Sequence, residues 1–323
     1  MNKYKEIFGV DISKDVFDVH GSKNGHRQFN NTPKGFKLFV KTLPTDSLVV
    51  MESTGYYHYL LAQYLFSQGI PVSVVNPLQV KRFVQMRLSK IKTDKSDAKA
   101  ICGYAMANTV PLYNALNETQ AECLQLFRLL DIYLKQRTAI KNKLHGERTL
   151  GKPSKVVYHS LNRSLKHLGA EIDCLEFRIL NLVKQGQQKQ LTDLKSIPGL
   201  GTKTALFLIV ATDGFNKFDT AGQLCSYVGI TPIIRMSGCS VRGKSRISKM
   251  GNRKLRNLLF LCAFSACKHN KACKSLYERI VEKGKSKKLA LIAVANKLLK
   301  QAFAIAKSGM PYDENHVSIQ VKG

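Results

Sequence analysis

Apolar runs that end in an acid open the chain. Ile7 to Ile12 is apolar except for Asp11, and Val16 to Gly21 alternates at period two, so the two read as a hairpin. His26 to Asn30 supplies a third strand, and Thr32-Pro33 opens a helix carrying Phe36, Phe39, Val40 and Leu43. Leu48 to Glu52 reads as a buried strand that again ends in an acid. Gly55 to Gln68 reads as a helix, and Ile70 to Val75 as another buried strand closed by Asn76-Pro77. Strands joined through a crossover helix imply a mixed sheet flanked by helices, an α/β domain over residues 1–112.

From residue 113 to 188 the pattern is helical. Leu161, Leu165, Leu168, Ile172, Leu175, Ile179 and Leu182 recur at alternating four and three spacing, a heptad seam. Leu126, Leu130, Tyr133, Ile140 and Leu144 keep the same spacing, interrupted at Arg137, and Gly151-Lys152-Pro153 breaks the two runs. An intramolecular helical hairpin and a dimerising coiled coil both satisfy this seam. Residues 189–307 then form a mainly helical, basic third region, with two apolar helices at Leu255–Cys267 and Leu289–Ala306, and a disordered tail over 308–323.

Charge changes the picture most. The formal net charge is +29 over 323 residues, which repels itself unless a polyanion is the usual neighbour, so nucleic acid is the expected partner. A ribosomal-type scaffold and an anionic membrane surface are the blander alternatives. The 8 cysteines are scattered without metal-ligand spacing, and a reducing, cytoplasmic setting is expected. No signal peptide and no membrane span are expected, hence a soluble protein.

Acids are scarce, 22 against 51 basic residues, yet they stand where sheet rims form. Asp11 and Glu52 each close a buried strand. Asp94 and Asp97 are three apart at the start of a helix, a spacing that can put both on one face. Phosphodiester chemistry with divalent cations needs carboxylates converging from several elements in this way. Helix capping by Asp97 or Ser96, and a turn role for Asp11, are the structural alternatives. Asp15 in the hairpin turn and Asp18 inside its second strand rank lower.

The basic region holds two further candidates. Leu194 to Ala205 has the look of a helix-hairpin-helix, in which the turn at Gly199 and Gly201, with Lys203, can hold a phosphate; a tight turn between core helices is the alternative. Residues 233–246 mix small residues with cations, and a serine hydroxyl there can attack a phosphodiester. Chemistry alone leaves Ser237, Ser240, Ser245 and Ser248 open, as it does a merely phosphate-binding role. Arg235, Arg242, Lys244, Arg246, Lys249, Arg253, Lys254 and Arg256 are the expected backbone contacts. If about six phosphates are neutralised, affinity falls roughly 10³-fold between about 50 and 200 mM salt. Tyr56, Tyr57 and His58 can stack on a base or serve a helix core.

Several blocks together resemble a known family. Gly9-Val10-Asp11-Ile12-Ser13-Lys14, Met51-Glu52-Ser53-Thr54-Gly55 and Lys92-Thr93-Asp94-Lys95-Ser96-Asp97-Ala98 resemble the D-E-D-D blocks of the insertion-sequence-110 family. That family comprises RuvC-like transposases and related pilin-gene invertases. Val228-Gly229-Ile230-Thr231-Pro232, Ser237-Gly238 and Arg246 to Asn252 continue the resemblance through the basic region. It implies an RNase H-like, RuvC-like first domain in which Asp11, Glu52, Asp94 and Asp97 bind Mg²⁺, with Mn²⁺ as a substitute. It further implies Ser237 as the nucleophile of a covalent phosphoserine link to DNA. A homo-oligomer, dimer or tetramer, with active sites shared between protomers, a structured guide RNA and a nucleoid-associated prokaryotic setting are implied as well. Two rival functions remain open: a metal-and-water nuclease or junction resolvase, and a non-enzymatic nucleic-acid scaffold.

Overall fold

The computed structural model describes residues 4–53, 55–88, 93–151, 154–233, 236–237, 241–242 and 246–315. Two units divide the chain, residues 1–116 and 117–323. In the first, β1 (Glu6–Ile12), β2 (Val16–Gly21) and β3 (Gly25–Asn30) form an antiparallel meander. Strands β4 (Ser47–Glu52) and β5 (Val72–Val75) extend it on the other side of β1, all three parallel, giving the order β3-β2-β1-β4-β5. The expected mixed sheet is therefore present, with helices α1 (Pro33–Lys41), α2 (His58–Ser67), α3 (Pro77–Met86) and α4 (Asp94–Ala107) around it.

Period-two alternation decides which helices lie on which face. Phe8, Val10, Phe17, Val19, Val49 and Met51 share one core with Phe36 and Phe39 of α1 and Leu61 and Leu65 of α2. Ile7, Leu48, Val50 and Val75 point the other way, into a smaller core with Val80 of α3 and Ile101, Cys102 and Ala105 of α4. Helix starts follow local chemistry. Thr32 accepts from the N–H of Gly35 and Asn76 from that of Leu78, each just before a proline at the first helical position. Helix α2 begins at His58 rather than Gly55, because Gly55 is left-handed at φ +62°. Strand β5 begins only after Pro71, which has no N–H for the ladder.

The second unit is helical. α5 (Glu118–Thr149) and α6 (Lys155–Lys195) pack as a hairpin within the chain, through Cys123, Phe127 and Leu130 on one side and Ile172, Leu175 and Ile179 on the other. The expected divide near residue 188 falls inside α6, at Gln187, whose φ of −138° and ψ of 33° interrupt the helical course. α7 (Thr202–Thr212) is buried from Thr204 onward, and α8 (Ala221–Val228) follows. Short strands β6 (Pro232–Ile233), β7 (Met236–Ser237), β8 (Val241–Arg242) and β9 (Arg246–Ile247) pair as β6–β9 and β7–β8. Helices α9 (Arg253–His269), α10 (Lys271–Glu282) and α11 (Lys287–Ser308) complete the unit.

Between the two expected apolar helices lies α10, in which Cys273 is the buried residue, too little to leave an apolar run. Helix α11 is long and apolar enough to cross a membrane by length and composition, yet Val294, Leu298 and Ala302 are fully buried in the unit's core. Beyond α11 the chain is held at Tyr312. Its N–H donates to Ser196 Oγ at 2.7 Å and its hydroxyl to Asn270 Oδ1 at 3.3 Å.

One contact positions the first unit's acids. A Cβ added to Gly9 of β1 would collide with the backbone nitrogen of Cys102 and the backbone oxygen of Ala98, so α4 rests on bare strand backbone. Gly9→Ala is expected to lower stability by about 1–3 kcal/mol through this overpacking, measured by urea denaturation. An unchanged midpoint would show that α4 can lift away without cost.

Candidate active site

The face of the sheet under α4 turns polar towards the carboxyl end of β1. Ile7, Gly9 and Asp11 share that face, and the parallel register Gly9↔Val50 and Val10↔Met51 brings Glu52 of β4 alongside Asp11. Helix α4 runs antiparallel to β1. Cys102 Sγ lies 3.3 Å from the Ile7 carbonyl, and Ala98 and Cys102 meet Gly9. Asp94 and Asp97, one turn further towards the helix start, therefore lie at the Asp11 end of the strand.

The electrostatics agree. The Asp11 carboxyl is pushed up to about 6 from an ordinary 3.8, first by burial and then by Asp97, Asp94, Glu52 and Asp18 in that order. Four carboxylates from three other elements thus bear on one half-buried acid.

Neither Asp94 nor Asp97 is needed as a cap. Thr93 accepts from the N–H of Ser96 at 3.2 Å, and Ser96 Oγ accepts from the N–H of Thr93 at 2.7 Å, which closes a capping box. Both acids lie in the first turn, where the helix dipole favours negative charge. Among the described residues, no three His, Cys, Asp or Glu side chains stand close enough to form a ready-made metal cradle. The donor set is nonetheless all carboxylate oxygen, the ligand type of a hard divalent cation. The unrelieved repulsion at Asp11 is what such a cation would offset.

In the second unit, backbone hydrogen bonds join the segments on either side of the serine-bearing stretch. Ser248 N donates to Thr231 O, Lys249 N to Gly229 O and Asn252 N to Tyr227 O, at 3.0, 3.1 and 2.8 Å. With the β6–β9 pair these fix the base of residues 234–245. Ser237 pairs through its backbone with Val241 in the β7–β8 ladder. Arg235, Ser240, Lys244 and Ser245 lie outside the described residues, as do the side chains of Ser237 and Arg242.

The remaining basic candidates divide by environment. Arg246, Lys249 and Arg253 are exposed. Lys254 is turned inward: its ammonium lies 4.9 Å from the Phe207 ring centroid and 5.4 Å from that of Phe127, and 3.6 Å from Asp131. Burial lowers its pKa. Arg256 donates to the Val228 carbonyl at 2.7 Å. Lys203 is paired with Glu176 at 2.6 Å. Gly199, left-handed at φ +97°, lies against the backbone of Ala266, so its small size serves helix packing, while Gly201 is exposed at the start of α7.

Two family models match the chain, the first running past residue 116 into α5. Residues 8–147 match a family model described as a transposase, and residues 191–278 match one described as a transposase of the IS116/IS110/IS902 family. The pilin gene-inverting protein of Moraxella bovis is 30% identical over 96% of this chain and 98% of its own length. The chain belongs to the IS110 family of transposases. The transposase for insertion sequence element IS1111A of Coxiella burnetii is 27% identical over 90% of this chain and 87% of that protein. This IS110-family chain is thus a transposase or DNA invertase, an enzyme that acts on DNA.

In this transposase a further acid lies next to Asp11, inside the second strand where the sequence places it. Asp18, 5% exposed, pairs directly across β1–β2 with Asp11 and accepts from Gln28 Nε2 at 3.1 Å, with His26 Nε2 2.6 Å from its other oxygen. The tight turn at Ser13–Val16 fixes that register, and counting back from it would have found the pair. His20, two residues along the same face, has a buried Nδ1 without a partner and a pKa lowered by burial, then by Lys99, His26 and Lys95.

A raised carboxyl costs the fold stability that is intact below the unfolded value near 3.8 and lost as pH rises through about 6. Asp11→Asn is therefore expected to stabilise the metal-free protein at neutral pH by about 1 kcal/mol after solvent screening, and hardly at all below about pH 4. Thermal melts across pH test this; equal melting of both proteins at neutral pH would contradict it.

Proposed function

We propose that this transposase cuts and rejoins DNA strands using Asp11, Glu52, Asp94 and Asp97 to hold divalent metal, and Ser237 as nucleophile. The metal is Mg²⁺, with Mn²⁺ able to replace it. Support comes chiefly from the convergence of Asp97, Asp94 and Glu52 on the raised Asp11 carboxyl. The strand order β3-β2-β1-β4-β5, with Asp11 on the central strand, supports an RNase H-like, RuvC-like reading of the first unit.

When bound, the metal supplies charge stabilisation to the attacking and leaving oxygens of the phosphodiester. Ser237 Oγ forms a bond to phosphorus while the bond to the leaving deoxyribose oxygen breaks; the serine proton is transferred away and the leaving oxygen is protonated. Rejoining is the reverse: a deoxyribose hydroxyl of another strand attacks the phosphoserine and releases Ser237. Arg235, Arg242, Lys244, Arg246, Lys249 and Arg253 neutralise the phosphates around it. Lys254 and Arg256 act instead by holding α9 against its neighbours.

A structured guide RNA and a homo-oligomer belong to the same reading. The family resemblance supports both, and the charge of +29 fits the RNA partner.

Two variants test the scheme. Incubated with supercoiled or nicked DNA and Mg²⁺ and then denatured, the wild-type protein is expected to carry covalently attached DNA, and Ser237→Ala none. Asp11→Asn is expected to lose at least about 10²-fold in strand cleavage while keeping DNA binding. Continued cleavage by Ser237→Ala would instead assign a metal-and-water nuclease.

A further inference from the structure

Helix α11 has two faces with different chemistry. Ala290, Val294, Leu298 and Ala302 are fully buried. Leu289, Ile292, Ala293, Asn296, Lys297 and Lys300 recur at three and four spacing on a second face, which lines an open groove of about 1070 Å³. The strands β6 and β9 contribute Pro232 and Ile247 to the opposite side, and α10 contributes Leu276. The floor is aliphatic: Ile230, Ile247, Leu276, Leu289 and Ile292. Around it stand Arg246, Lys249, Lys288, Lys297 and Lys300, with no acid among the lining residues. Among the described residues none of these five cations is held in an ion pair.

We infer that this groove takes an unpaired stretch of DNA. The space, at the upper end of the roughly 300–1,000 Å³ of a small-molecule pocket, is open to solvent rather than enclosed. Its occupant must be anionic for the rim and apolar for the floor. Duplex DNA meets only half of that demand, since it offers phosphates outside but keeps its base faces stacked within. Unpaired nucleotides offer both, the apolar faces of bases and sugars to the aliphatic floor and phosphates to the cations. Thr231, Ser286 and Asn296 are the uncharged polar side chains lining the groove, and the aliphatic floor offers a ribose 2′-hydroxyl no partner, so RNA laid on that floor would bury the group at a cost. Position along the chain fits as well. β6 and β9 bracket residues 234–245, the stretch that carries Ser237, so a strand opened for cutting would have its loosened nucleotides held beside the base of that stretch.

This inference rests on the DNA-acting reading of the chain, and its binding test needs neither the metal set nor a nucleophilic role for Ser237. The test is fluorescence anisotropy on full-length protein with short oligo-dT, its oligo-dA duplex and oligo-U. Lys297→Ala/Lys300→Ala is expected to weaken oligo-dT binding and reduce its log–log salt slope by about 1.4, the share of two single-strand phosphate contacts. Ile292→Asn, at a half-buried position, is expected to weaken oligo-dT by at least about fivefold with little change for duplex, and Ile292→Leu to retain binding. Equal loss for duplex and oligo-dT would overturn the inference, as would tighter retention of oligo-U than of oligo-dT. Dissociation of an oligomer by Ile292→Asn with oligo-dT binding intact would assign the face to a second copy and overturn it too. A chain that binds oligo-dT here yet forms no DNA adduct would overturn only the covalent mechanism.

Discussion

At Gly9 the backbone of β1 touches the backbone of α4, and that contact sets where charge gathers in the first unit. Two residues along a strand advance about 6.6–6.8 Å and one helical turn about 5.4 Å. With Ala98 seated at Gly9 and the helix antiparallel to the strand, Asp94 and Asp97 arrive over Asp11 rather than beyond it. Strand pairing then adds Glu52 from β4 and Asp18 from β2. Burial first, and then the four neighbouring carboxylates, raise the half-buried Asp11 carboxyl to about 6. The fold tolerates the repulsion among these acids only because apolar packing on both faces of the sheet, around Phe17, Phe39, Val50 and Ile101, holds the elements in place.

The second unit answers with the opposite sign. Its long hairpin and the core built on α7, α9 and α11 are ordinary helix packing, and they leave the cations to the surface or to specific internal tasks. Lys254 between Phe127 and Phe207, and Arg256 on the Val228 carbonyl, show that a basic run in sequence is not a uniform binding face. The exposed Arg246, Lys249 and Arg253 stand beside the stretch carrying Ser237, and the α11 groove adds Lys297 and Lys300 to that side.

Much of this was legible from residue order. Strand alternation fixed the mixed sheet, and the scarcity of acids drew attention to Asp11, Glu52, Asp94 and Asp97. The seam from Leu168 to Leu182 marked α6, although only the structure decided that its partner is α5 of the same chain. What escaped notice depended on pairing rather than on local pattern. Asp18 looked like a strand residue until register placed it opposite Asp11. Helix α10 showed no apolar run because Cys273 is its buried residue. Of the two readings of the glycines near Leu200, a phosphate turn and a tight turn between core helices, the packing of Gly199 on Ala266 of α9 fits the second.

Burial and the neighbouring acids together raise the Asp11 carboxyl, and carbon-detected NMR titration of the labelled aspartate carboxyls measures that rise directly. Asp11 is expected to titrate near 6 in metal-free protein, to fall part of the way when Asp97 is changed to Asn, and to fall further on adding Mg²⁺. An Asp11 that titrates near its ordinary 3.8 and ignores both changes would mean that the four acids do not meet.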